Sequence, residues 1–181
     1  MISNKIGEFG VQTLDAVSGL IKTNHYVQAL VLLYSAIDTL AWSTRDQGDV
    51  TRSDFCAWVS SYMDPEQRLA CTAADLYAAR CALVHSGAAE SRMSREGQAA
   101  EIWYATAPKS VPNLQAFAQQ KGVNAKVLCV TDLVAAFADG ALTFSDDLAS
   151  DEPRQAQVAK RIERWLGFVP SGRVVEGEPG K

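Results

Sequence analysis

At 181 residues and 19.6 kDa, with 48% apolar and 21% charged residues, the chain has ordinary globular composition and enough apolar side chains for a sizeable core, which excludes a disordered polymer. A net charge of −4 and a pI of about 5.2 exclude a basic field over the whole molecule and disfavour a dedicated duplex-DNA binder, while leaving room for a local basic patch.

The N-terminal "MISNKIGEFGVQTL" lacks the basic segment, apolar stretch and small-residue cleavage site of a signal peptide. From Ile6 to Ile21, apolar residues at Phe9, Val11, Leu14, Val17 and Leu20 follow helical spacing and predict a helix with one buried face. Residues from about His25 to Thr44 are apolar nearly all round, through Leu30, Leu33, Ile37 and Leu40, so this helix is expected to be central. Gln28 and Asp38 interrupt it short of the ~20 apolar residues of a membrane span. A soluble, cytoplasmic protein without membrane attachment is expected.

"DQGD" breaks that helix, and Thr51 with Asp54 predicts the capped start of a short one through Phe55, Trp58 and Tyr62. Asp64-Pro65-Glu66-Gln67 predicts the next start, with Asp64 capping and Gln67 reaching back. That helix runs through Leu69, Ala73, Leu76 and Ala79 to Gly87, a natural stop. "SGAAESRMSREGQ" reads as a polar, mobile loop. "EIWYAT" (101–106) and "AKVLCV" (125–130) read as strands, and "VPNLQAFAQQKG" between them as a helix capped by Asn113 and ended by Gly122. "TDLVAAFADGAL" and "PRQAQVAKRIERWLGF" are two closing helices, the last with Val158, Ile162, Trp165 and Leu166 as its apolar stripe and Lys160, Arg161 and Arg164 on other faces. The expected fold is mainly α, one domain: a helical core over about 1–90 and 131–168, a two-stranded β insertion over about 100–130, and a flexible tail over about 169–181.

Cys56, Cys71, Cys81 and Cys129 form no CxxC and have apolar neighbours, so buried, reduced thiols are expected. The two histidines, His25 and His85, are too far apart for a zinc site, and no metal or cofactor is expected. His25 reads as a helix-start residue.

The stretch "DLYAARCALVHSG" places Arg80 and His85 five positions apart. On an unbroken helix such positions diverge by about 140°, so the two converge only if the helix ends near Val84, as "HSG" suggests. Guanidinium and imidazole at one point suit RNA cleavage, one binding phosphate and the other moving a proton near neutral pH. Asp38, a lone carboxylate on an apolar helix, needs a partner, and Arg80 is the obvious one. A buried Asp38–Arg80 pair that fixes two helices is the structural alternative to catalysis.

From Tyr34 to His85, "YSAIDTLAW" followed by "LYAARCALVHS" resembles the HEPN superfamily, small helical bundles that carry Arg, four to six residues, then His. The resemblance covers the helical part of the chain. It implies a HEPN-like bundle, a homodimer with a composite site, and metal-independent cleavage of RNA in toxin–antitoxin, anti-phage or RNA-processing settings, with an antitoxin or other protein as a further partner. It assigns Arg80 to the scissile phosphate, His85 to proton transfer and Asp38 to the acidic position on the preceding helix. Cys81 stands where family members often carry a polar residue, which favours the alternative of a non-catalytic binding or assembly module. Arg92 and Arg95 in the loop, and Lys160, Arg161 and Arg164 on the last helix, are candidates for RNA phosphates or simply solvated charges. Tyr77 and Trp42 are candidates for stacking on a base or for core packing.

Overall fold

In the computed structural model, which describes residues 2–162, the N-terminal amphipathic segment is helix α1 (Ile2–Lys22), with Ile6 and Val17 fully buried. Asn24, at a φ of 62°, turns the chain into α2 (Tyr26–Ser43). His25 sits at the start of α2, as expected, with its ring bonded to the Thr23 hydroxyl at 2.8 Å. Leu33, Tyr34, Ile37 and Leu40 of α2 are wholly buried. Thr51 closes a complete capping box with Asp54 and starts α3 (Arg52–Trp58), which runs on into one π-helical turn, Val59–Met63.

The start expected at Asp64 is a correction. The Asp64 carboxylate accepts the N–H groups of Arg68, at 2.7 Å, and of Leu69, and Gln67 adopts a left-handed φ of 53°, so the turn does not propagate. Helix α4 (Ala73–Ser86) begins instead at a second capping box, Thr72 with Asp75. That box wins because the Asp75 carboxylate is buried and also accepts the Ala100 N–H at 2.7 Å, tying α4 to the segment after it. Gly87 ends α4 at a φ of 65°, its N–H returning to the Leu83 carbonyl at 2.9 Å.

The polar segment expected to be a mobile loop holds a single capped turn, α5 (Arg92–Arg95), started by Ser91. Strands β1 (Glu101–Ala105) and β2 (Ala125–Cys129) lie where expected and pair in parallel, Glu101 opposite Ala125 through Ala105 opposite Cys129. A parallel pair needs a crossover, and α6 (Val111–Gln120) supplies it. Asn113 is not its cap: α6 starts two residues earlier, where Pro112 fits the first turn, and Gly122 ends it at a φ of 66°. Helix α7 (Val130–Ala149) follows β2 directly and is longer than expected, and α8 (Glu152–Ile162) completes the described chain.

The fold is thus mainly helical with a small two-stranded parallel sheet. Helix α2 is surrounded by α1, α3, α4, α7 and α8. Helix α7 approaches the π turn so closely that a Cβ on Gly140 would lie 2.9 Å from Met63 Cα. Among the described residues, no helix is long and apolar enough to cross a membrane. Arg164, Trp165, Leu166 and the tail 169–181 lie outside the described residues.

Candidate functional site

Asp38, Arg80 and His85 come together. Arg80 donates Nε and Nη2 to Asp38 Oδ2, each at 2.6 Å, joining α4 to α2. Its remaining nitrogen, Nη1, lies 3.4 Å from His85 Nε2 and 3.9 Å from Cys81 Sγ. The helix runs to Ser86 and stops at Gly87, so His85 lies in its last turn, where its side chain meets that of Arg80. His85 is exposed, whereas the side chains of Arg80 and Asp38 keep 20% and 15% of their surface. The site is therefore a half-sealed ion pair with an open imidazole at its edge.

The electrostatics follow from this partial burial. Burial pushes the Asp38 carboxyl up, against the pull of Arg80 and then His85. For Arg80, burial works against the charge, but the hydrogen bond and charge of Asp38 outweigh it and hold the guanidinium firmly protonated. Asp38 Oδ1 is buried with no hydrogen-bond partner, so the pair is incompletely satisfied. Beside it, burial and then Cys81 push the Tyr77 phenol up.

The other candidates are scattered. Tyr77 packs edge-on against Phe55, with ring centres 5.5 Å apart, and Trp42 lies under the Arg161 guanidinium at 4.5 Å; both are used in packing. Arg161 corrects the expectation of a phosphate contact: it is 3% exposed and donates to the carbonyls of Arg45, at 2.8 Å, and Gly48, at 3.1 Å. It fastens α8 over the α2–α3 loop, whose free carbonyls need a donor. Lys160 is exposed on α8, and Arg92 and Arg95 are exposed on α5, paired with Glu96 and Glu90 at 3.3 and 3.4 Å. Nothing places these cations around Arg80.

Of the four thiols only Cys129 is buried; the other three are half-buried, which corrects the expectation for them. Cys56 and Cys71 line an open groove of about 980 Å³ at the start of α4, with Arg52, Asp64 and Lys126. Burial and the nearby Asp75 and Asp64 carboxylates push the Cys71 thiol up to about 12, so it is inert at neutral pH. Among the described residues, no three His, Cys, Asp or Glu side chains are grouped to hold a metal ion.

Two features escaped the sequence. One is the Asp75 bridge to Ala100. The other is a mostly apolar cleft of about 420 Å³ at the far end of α4, where Leu83 and Gly87 face Tyr26 of α2 and Trp103 and Tyr104 of β1. The aromatic content of "EIWYAT" was its only signal. Comparison with protein-family models, curated proteins and solved structures finds no match to this chain.

Proposed function

We propose that the protein is a metal-independent endoribonuclease of HEPN type, acting as a homodimer in which two α4 ends meet to form a composite site. The supporting observation is the convergence of Asp38, Arg80 and an exposed His85 at one helix end. Asp38 holds the guanidinium by one edge and leaves Nη1 turned toward the imidazole. In this reading the RNA 2′-hydroxyl attacks the adjacent phosphorus and the bond from phosphorus to the 5′-oxygen breaks. The products are a 2′,3′-cyclic phosphate and a 5′-hydroxyl. Arg80 stabilises charge on the phosphoryl oxygens, and the two imidazoles of the dimer take the 2′ proton and return one to the leaving oxygen. Arg92, Arg95 and Lys160 are the exposed cations that would meet flanking phosphates. A cytoplasmic toxin or defence role, with a protein partner covering the site, belongs to the same proposal.

The test is incubation of the purified protein with single-stranded and structured RNA, with and without chelator, beside Arg80→Ala and His85→Ala. Cleavage that survives the chelator and is lost in both variants is expected. Cleavage that persists in both variants overturns the assignment.

A second reading, a non-catalytic binding or assembly module, is favoured by one observation. Two of the three Arg80 nitrogens are already committed to Asp38. It predicts no cleavage by the unaltered protein and a loss of stability, rather than of activity, on breaking the pair.

A further inference from the structure

The cleft beside the α4 end has the chemistry of a base-stacking site. Its wall carries three aromatic residues, Tyr26, Trp103 and Tyr104, together with Leu83 and Leu114. Each aromatic polar group is already bonded within the protein. Tyr26 Oη donates to Asn24 Oδ1 at 3.3 Å, Trp103 Nε1 donates to Glu101 Oε2 at 3.0 Å, and Tyr104 Oη pairs with the buried Tyr34 Oη at 2.5 Å. Tyr104 packs against the core, so what remains on offer is the ring surface of the half-buried Tyr26 and Trp103, which suits stacking and carries little hydrogen-bonding readout. At about 420 Å³ the cleft has room for a nucleobase.

Its position supplies the second argument. Leu83 of the cleft is one helical turn beyond Arg80, and Gly87 ends the same helix. Outside the cleft lining, Trp103 also meets the exposed Phe117, with ring centres 6.0 Å apart, and Lys121 lies 5.5 Å over the Phe117 ring. Aromatic rings in a cleft, with a lysine one aromatic contact away, are the combination that follows single-stranded nucleic acid, pairing stacked bases with a nearby phosphate contact.

The geometry points to a nucleobase-binding cleft, built by β1, the start of α2 and the end of α4, that takes an unpaired base of single-stranded RNA next to the phosphate held at Arg80. The choice of ligand rests on the ribonuclease reading. The parallel βαβ unit then has a role: it carries the stacking wall, and because that wall reads ring faces, the enzyme selects unpaired strands with weak preference among bases.

The test uses His85→Ala protein, so that RNA stays intact, and a fluorescein-labelled single-stranded hexanucleotide RNA read by anisotropy. The same strand in a duplex, and a strand of abasic residues, are the comparisons. Trp103→Ala removes the wall. Val27→Glu puts a carboxylate at the mouth from a position already 53% exposed, so the fold is preserved even if the tryptophan change unfolds the sheet. Single-strand binding, weakened about tenfold or more by the duplex, by the abasic strand and by Val27→Glu, is expected from the loss of a stacked base. Equal binding of intact and abasic strands overturns the proposal, as does a Val27→Glu protein that binds RNA normally but changes its sedimentation, which would make the cleft a protein contact. Cleft-dependent binding without cleavage by the unaltered protein would remove the ribonuclease reading and keep the cleft; cleavage with cleft-independent binding would do the reverse.

Discussion

Arg80 commits Nε and Nη2 to a single oxygen of Asp38, while the other oxygen of Asp38 is buried with no partner. The geometry is good on one side and unfinished on the other. Removing only the cation strands a largely buried carboxylate, which is where the cost of a broken buried pair arises.

Arg80→Ala is therefore expected to lower unfolding free energy by about 1–3 kcal/mol, less than the about 3–5 of a fully buried pair because both side chains keep some solvent. The double change Asp38→Leu with Arg80→Met is expected to recover most of that loss, since no charge is then left unpaired. Urea denaturation of the three proteins measures it. A loss below about 0.5 kcal/mol in Arg80→Ala would show a screened surface pair instead.

Two carboxylates give opposite pH dependences. Burial holds the Asp38 pKa above the ordinary carboxylate range despite Arg80 and His85. The folded state then binds more protons than the unfolded one from about pH 4 up to the raised value, so the contribution of Asp38 is full below that window and lost as pH rises through it. At Asp54, burial pushes the pKa up, but hydrogen bonds from the Thr51 hydroxyl and N–H, then Arg45, outweigh it and leave it lowered. Its contribution is present above about pH 4 and lost as pH falls through the lowered value. Melting temperatures of Asp38→Asn and Asp54→Asn against the unaltered protein, from pH 3 to 7, are expected to diverge in opposite senses. The Asp54→Asn deficit grows toward neutral pH and the Asp38→Asn deficit shrinks. Deficits that move together would refute one of the two shifts.

The parts of this molecule that were legible in its sequence are those decided locally. The apolar run of α2, the Thr51–Asp54 box and the Gly87 stop each rest on residues within a turn or two of one another. Asp38 and Arg80 are 42 positions apart, yet their pairing was legible, because a lone carboxylate on an apolar helix has few candidates for company. The misread start at Asp64 had a local signal as good as the real one; the Ala100 N–H, 25 positions away, tips the choice to Thr72 and Asp75. Arg161 misled for the same reason. Its partners, Arg45 and Gly48, are 116 and 113 positions distant, and a helix face that looks wet in sequence is dry under a loop whose carbonyls accept its guanidinium. The helix between β1 and β2 is the crossover that parallel pairing needs, but their register, Glu101 opposite Ala125, joins residues too far apart to be read locally.

Helix α7 and the π turn give a last prediction, because two helical glycines in this protein face opposite surroundings. A Cβ on Gly140 would meet Met63 Cα at 2.9 Å and Met63 N at 3.1 Å, atoms of backbone that cannot rotate away. On Gly19, exposed near the end of α1, a Cβ meets nothing within 4 Å. Alanine has the higher helix propensity at either site, worth about 0.5–1 kcal/mol. Gly19→Ala should realise that gain. Gly140→Ala must instead push α7 off the π turn, and overpacking of about 1–3 kcal/mol exceeds the propensity gain. Thermal melts of the two variants are expected to shift in opposite directions. A stabilised Gly140→Ala protein would mean that the close approach of α7 to Met63 yields, and that the π turn does not need glycine opposite it.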